Sequence, residues 1–358
     1  MDRRRLITWF LAGLIGALAV AETSARVAEA AGPPVLRYYD AAAQLKVEQM
    51  EAASSADVVF AGTSMVWQGF VPESFTRADP AGRSAYNAGL AGGVPVVVEP
   101  WLLEEVVPRL DPEVVVWGLS SMDFSASYGE DNLDRYRDAL ATRTGGLATI
   151  EQGLSRWSAL VRYRSILRRP SALAGVERDA IEADFADAGA TLGNGGERLD
   201  FAVDFGEGRA GQVQARLLGY RLDPADIDAI ERTVTALRDR GIDVAFAEMP
   251  VPNRYVALHP NGAEDTARAH EAIRALGDLL SVPVVDLRYG FVDDDFVDFT
   301  HLDAEAAERL SSLLADALAG VAPPSGDDED PPTATAPPGG AGTTTTTAPR
   351  PATTTTTT

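Results

Sequence analysis

The chain contains no cysteine among its 358 residues. That excludes disulfides, thiolate nucleophiles and cysteine-ligated zinc or iron–sulfur centres, and it leaves the redox compartment open. Histidine is scarce, so imidazole chemistry has only His259, His270 and His301 to draw on. Positive charge is also short: 31 Lys and Arg stand against 53 Asp and Glu, a formal net charge of −22. A chain so acidic lacks the basic face that nucleic-acid binding needs. The C-terminal segment has almost nothing apolar to bury. From Pro323 it runs through Pro, Gly and Asp into threonine tracts ending at Thr353 to Thr358. With so little to bury, residues 323–358 are expected to be a disordered tail. Its composition fits an O-glycosylated stalk or a plain flexible spacer.

The N-terminus carries an address. Asp2-Arg3-Arg4-Arg5 is a basic leader, Leu6 to Val20 is apolar, and Ala19-Val20-Ala21 has the small-x-small form of a cleavage site. The apolar run is short against the ~20 residues of a spanning helix. Residues 1–21 therefore read as a cleaved signal peptide, with an uncleaved anchor as the alternative. Either places the body outside the cytoplasm, with membrane or cell-wall association a further expectation. The body is residues 34–322.

Within the body, short apolar runs alternate with helical patterns. Pro34 to Glu51 has apolar residues at helical spacing (Leu36, Tyr39, Ala43, Leu45, Val47, Met50). Asp57 to Ala61 reads as a buried strand that ends in Gly62-Thr63-Ser64. Trp67 to Phe75 is expected to be a turn and loop, with Pro72 as breaker. Trp67 and Phe70 are expected to pack that loop, or else to stack on a sugar or an acyl chain. Ser84 to Gly93 reads as a strand entering a glycine-rich loop, Val96 to Leu110 as a helix, and Glu113 to Gly118 as a second buried strand. Helices over 223–240, 263–280 and 303–319 alternate with strands over 242–249 and 282–287. That order predicts an α/β protein with a parallel sheet and helices on both faces.

Residues 124–222 interrupt the alternation and are expected to form a mainly helical insertion or lid, with helical patterns at 132–141 and 152–167. Its arginines (Arg156, Arg162, Arg164, Arg168, Arg169) read as a solvated helix face, with contact to an anionic polymer or head group as the alternative. The cluster Asp293, Asp294, Asp295 and Asp298 lacks the spacing of a calcium loop and reads as solvated. His259 follows a strand near the expected ligand face, and His270 lies within a helix.

In open α/β sheets, ligands bind beyond the C-terminal ends of the strands. Ser64 falls at such an end. Near the other end of the chain, Asp298-Phe299-Thr300-His301 supplies an acid and an imidazole three residues apart. Acyl transfer by a serine needs a base, a group that orients it, and donors for the oxyanion. Thr63 or Ser64 as a mere helix cap is the competing reading.

These blocks resemble the SGNH or GDSL-type hydrolases. Gly62-Thr63-Ser64 is similar to the family's first motif, Gly-Asp-Ser. Asn87-Ala88-Gly89-Leu90-Ala91-Gly92 is similar to its Asn-x-x-x-x-Gly, and Asp298 to His301 matches its Asp-x-x-His. The third motif, Gly-x-Asn-Asp, is replaced by Gly118-Leu119-Ser120-Ser121, with serine where the oxyanion asparagine would stand. The resemblance covers about residues 57–123 and 242–319. It implies a three-layer flavodoxin-like fold and a Ser64–His301–Asp298 triad. It places oxyanion donors at Ser64, Gly92 and Ser120, and it needs no metal and no cofactor. The Gly-Thr-Ser start and the long insertion are more like the branch of cell-envelope O-acyltransferases and D-alanyl transfer proteins. The expected substrate is then an acylated envelope glycan or another ester. The alternative is a non-catalytic surface protein that kept the fold and binds glycan or protein.

Overall fold

The computed structural model describes residues 3–31, 40–129, 157–162, 178–199 and 201–320. The expected tail, the helix at 132–141, most of that at 152–167, Leu36, Tyr39 and four of the five insertion arginines lie outside them. Arg162 ends a short helix, α7 (Ala159–Arg162).

Five strands form one all-parallel sheet in the order β2-β1-β3-β4-β5. They are β1 (Val58–Ala61), β2 (Ala85–Asn87), β3 (Val114–Leu119), β4 (Asp243–Glu248) and β5 (Val284–Asp286). This order is that of the flavodoxin-like sheet, whose switch point lies between the first and third strands. Strand pleating divides the side chains between two cores. Val59, Ala61, Val115, Trp117, Val244 and Phe246 face one core. There they meet α2 (Ala41–Ala53), the α5–α6 unit (Pro95–Pro100 and Val107–Leu110), α10 (Pro224–Arg238) and α12 (Ala263–Leu280). A π-helical stretch, Trp101–Val106, joins α5 to α6. Val58, Phe60, Val116, Ala245 and Ala247 face the other core. They pack on α3 (Ser64–Gly69), α4 (Pro72–Ala78) and α13 (Ala304–Ala319). Strands buried on both faces explain why the sequence shows apolar runs rather than alternation.

The expected loop at 67–75 instead lies mostly within two short helices, α3 and α4. Pro72 begins α4 rather than breaking it, because the first helical turn has no use for the missing N–H. Trp67 and Phe70 are buried in these packed elements. In the insertion, α8 (Arg178–Thr191) and α9 (Glu207–Arg216) are helical. A short α11 (Asn253–Val256) follows β4.

The N-terminal helix α1 spans Arg3–Ala31 and runs unbroken through the expected cleavage site. Arg5–Val27, 23 residues of mean hydropathy 1.8, is long and apolar enough to cross a membrane, and none of it is buried. Signal sequences meet the same test.

Candidate active site

Strand β1 ends at Ala61, and Gly62 turns the chain with φ +147°. An L side chain rarely adopts that angle, and a Cβ there would sit 2.7 Å from the carbonyl oxygen of Gly118. The tight turn lets Thr63 cap α3 through its hydroxyl, so that Ser64 is the first helical residue. The Ser64 N–H therefore has no acceptor within its own helix. Gly118, at the end of β3, is pressed against Val66 and Met249, leaving no room for a methyl group.

Asn87 ties the second block to the first. Its amide donates to the carbonyls of Val66 (2.8 Å), Trp67 (3.2 Å) and Phe70 (2.7 Å), closing the C-terminal end of α3. Its Oδ1 accepts the Gly89 N–H at 2.9 Å. The glycine-rich loop then lies along the end of β1, with the Leu90 N–H donating to the Gly62 carbonyl at 2.9 Å. Gly92 is buried, with φ +69°, and among the described residues its N–H meets no acceptor.

The residues drawn from opposite ends of the sequence meet here. His301 Nε2 lies 2.8 Å from Ser64 Oγ, and His301 Nδ1 lies 2.8 Å from Asp298 Oδ2. Asp298 Oδ1 accepts the backbone N–H groups of Thr300 (2.7 Å) and His301 (2.8 Å), which locks the carboxylate in its own loop. Burial would push the Asp298 carboxyl up. The hydrogen bond and charge of His301, the Thr300 N–H and the Arg209 guanidinium outweigh it and hold the group well below the usual carboxylate range. An ionised Asp298 fixes the proton of His301 on Nδ1 and leaves Nε2 as acceptor toward Ser64.

Ser120 is held differently from the other expected oxyanion donors. It is buried, and its hydroxyl donates to Asp123 Oδ2 at 2.7 Å while accepting the Met122 N–H at 3.3 Å. Its backbone N–H also donates to Asp123 Oδ2, at 2.7 Å. Ser120 thus caps the tight turn Ser121–Phe124 rather than presenting a free hydroxyl.

The other histidines lie apart from this set. His259 is buried against Tyr220 and Tyr255, with Nε2 3.0 Å from Ser121 Oγ. Burial pushes it down to about 4, partly opposed by Asp265, and it is neutral at physiological pH. His270 meets the buried Glu248, which also pairs with Arg288. In the acidic cluster, Asp293 takes the Asn253 N–H and Arg254, and Asp295 takes Arg309. Among the described residues, no group of three or more candidate ligands is placed to hold a metal.

Two further side chains belong to the site. Arg209, on α9, donates to Asp298 Oδ2 from Nη2 (2.7 Å) and Nε (3.1 Å). Lys46, on α2, is almost wholly buried. Its ammonium donates to the carbonyls of Asn87 (2.8 Å) and Gly89 (2.6 Å) and lies 5.0 Å from the centre of the Trp67 ring. Lys46 had one sequence signal: it falls between Ala43 and Met50 on the face that the apolar pattern marks as buried. Arg209 had none.

Fold and site together define a three-layer α/β protein with a Ser–His–Asp set at the C-terminal rim of its sheet. Neither a family model nor a curated protein matches the sequence. Solved structures do match, at low identity. One is a GDSL-like lipase from Bacteroides thetaiotaomicron, with 11% identity, TM-score 0.40, and coverage of 78% of this chain and 100% of that one. Another is a carbohydrate acetylesterase from Sinorhizobium meliloti, with 12% identity, TM-score 0.37, and coverage of 74% and 98%. A third is an aryl esterase from M. smegmatis, with 13% identity, TM-score 0.36, and coverage of 75% and 100%.

Proposed function

We propose that this chain is a serine esterase or O-acyltransferase of the SGNH type, acting on ester-linked acyl groups outside the cytoplasm. The observation that carries the reading is the continuous hydrogen-bond line from Ser64 Oγ through both nitrogens of His301 to Asp298, each link 2.8 Å long.

The chemistry follows from that line. His301 Nε2 takes the proton of Ser64 as Oγ attacks the ester carbonyl. The N–H groups of Ser64 and Gly92 receive the oxyanion, two backbone donors fixed by the Gly62 turn and the Asn87 network. Each donor of this kind is worth roughly 2.7–4 kcal/mol of barrier. His301 then protonates the leaving alcohol, and the acyl group remains on Ser64. Water or a sugar hydroxyl, deprotonated by the same imidazole, takes the acyl group and restores the serine. Acylated envelope glycan suits an exported protein with such a centre. Ser120 contributes by shaping the loop after β3, since its hydroxyl already serves Asp123.

The full-length chain is expected to hydrolyse p-nitrophenyl acetate, and Ser64→Ala to lower kcat/KM by roughly a thousandfold or more. A rate that Ser64→Ala leaves unchanged removes Ser64 from the chemistry. Adding a soluble glycan acceptor separates the two acyl fates, because transfer yields an acylated sugar where hydrolysis yields acetate.

A further inference from the structure

We infer that Arg209 is a positioning residue of this centre: a guanidinium supplied by the insertion that holds the carboxylate of Asp298 against His301. The inference rests on the triad reading above.

The contact is two-pronged on one oxygen. Nη2 and Nε of Arg209 both donate to Asp298 Oδ2, at 2.7 and 3.1 Å, and that oxygen also faces His301 Nδ1 at 2.8 Å. The opposite oxygen, Oδ1, is fixed by the N–H groups of Thr300 and His301. The carboxylate is thus gripped from both sides, by its own loop and by α9. Arg209 Nη2 lies 3.4 Å from His301 Nδ1. That nitrogen is a donor when protonated, so the approach is no hydrogen bond, and the guanidinium aligns through the carboxylate alone. A planar guanidinium keeps such a fork where a lysine ammonium gives only a point charge.

The element carrying Arg209 is anchored at several points beside the triad loop. The Asp204 N–H donates to the Val297 carbonyl at 2.9 Å. Phe205 stacks edge-on against Phe299, two residues before His301, at 5.8 Å between ring centres, and Arg254 covers Phe205 at 4.0 Å. At the C-terminal end of α9 and just past it, the carbonyls of Arg216 and Leu218 accept from the hydroxyls of Ser125 and Ser127, in the segment after β3. Segment 204–218 therefore straps the loop of the acid and base to the loop after β3, and Arg209 is its polar contact with the triad. Displacing it leaves Oδ2, the oxygen that faces the imidazole, with His301 Nδ1 as its one remaining partner among the described residues, while Oδ1 stays tied to its own loop. Small misplacements of catalytic groups cost rates on the order of a hundredfold.

The test measures how fast a fluorophosphonate acylates Ser64, which needs no knowledge of the natural substrate. Arg209→Gln is expected to slow labelling ten- to a hundredfold and to lower kcat for p-nitrophenyl acetate with KM little changed. Arg209→Lys should recover only part of the loss. The downfield proton resonance of the His301 Nδ1–H is expected to move or vanish in Arg209→Gln at unchanged thermal midpoint. Labelling and resonance identical to the parent protein in Arg209→Gln would overturn the inference. A rate lowered only in proportion to lost folded protein would overturn it too. Should Arg209→Gln not fold, Arg209→Lys decides, a parent-like rate and resonance overturning the assignment. A parent protein that the probe does not label at Ser64 overturns the triad reading itself, before any variant is compared.

Discussion

Ser120 stands where the related motif has an asparagine, and its neighbourhood explains what the serine does. Its hydroxyl and N–H converge on one oxygen of Asp123, whose other oxygen has no partner among the described residues. Asp123 is wholly buried, and burial pushes its carboxyl up to about 7, against the opposing bonds from Ser120. A group raised in the folded state holds its proton there while the unfolded chain has released it. Its contribution to stability is fully present below the ordinary carboxylate range and is lost as pH rises through about 7. Asp226 lies in a similar position, also raised to about 7 by burial, and accepts the Val96 N–H at 3.3 Å. Asp123→Asn keeps an acceptor for Ser120 without a buried charge. It is expected to flatten the fall in thermal midpoint between pH 5 and pH 9, with the largest gain at the alkaline end. Melting curves across that range check it, and an unchanged slope would show that Asp123 carries no buried proton. Neither aspartate was legible beforehand: a carboxylate four residues past a strand, as Asp123 is, or in the first turn of a helix, as Asp226 is, looks solvated until the packing around it is seen. Ser64, His301 and Asp298 could be singled out because acyl transfer requires their residue types, with Ser64 at a strand end and Asp298 and His301 spaced three apart before the last helix.

At the scale of elements, the strands and long helices were readable because burial on both faces imposes apolar runs and because Asp223 and Asp303 cap their helices. The short helices α3 and α4 were not. Six or seven residues carry less than two turns of periodicity, and a proline at a helix start looks the same as one in a loop. What makes α3 start where it does is Gly62, whose backbone angle and crowding leave no place for a side chain. A Cβ at Gly62 would approach Val66 Cγ2 to 2.6 Å and the Gly118 carbonyl oxygen to 2.7 Å. Gly62→Ala must therefore push β1, β3 and α3 apart at the point where the nucleophile is held. The expected result is a lower thermal midpoint together with labelling of Ser64 slowed beyond what the loss of folded protein explains. A variant that melts lower yet labels at full rate would mean that the turn serves the fold alone. The insertion was the least readable part. Its described helices have few buried residues, and its contact with the triad depends on one arginine in a charged stretch, which no periodicity marks.

At the scale of the whole molecule, the question is on which side of a membrane the α/β body lies. Three arginines open the apolar helix α1, and basic residues at the end of such a helix are retained on the cytoplasmic side. The 23 residues of Arg5–Val27 extend about 34 Å at 1.5 Å per residue, enough to cross the ~30 Å hydrocarbon core. On the proposed reading the body follows the helix outward, whether the helix is kept as an anchor or cut after Ala21. The net charge of −22 sets no electrostatic attraction to an anionic leaflet against that direction. In a bacterial host, protease added to intact spheroplasts is therefore expected to degrade the membrane-held body, while a cytoplasmic marker survives. If cleavage releases the body, it should instead appear in the medium with Glu22 as its first residue. A body protected in intact spheroplasts and digested only after lysis would place the centre inside the cell. That outcome would leave the Ser64–His301–Asp298 geometry standing and remove the envelope glycan as its substrate.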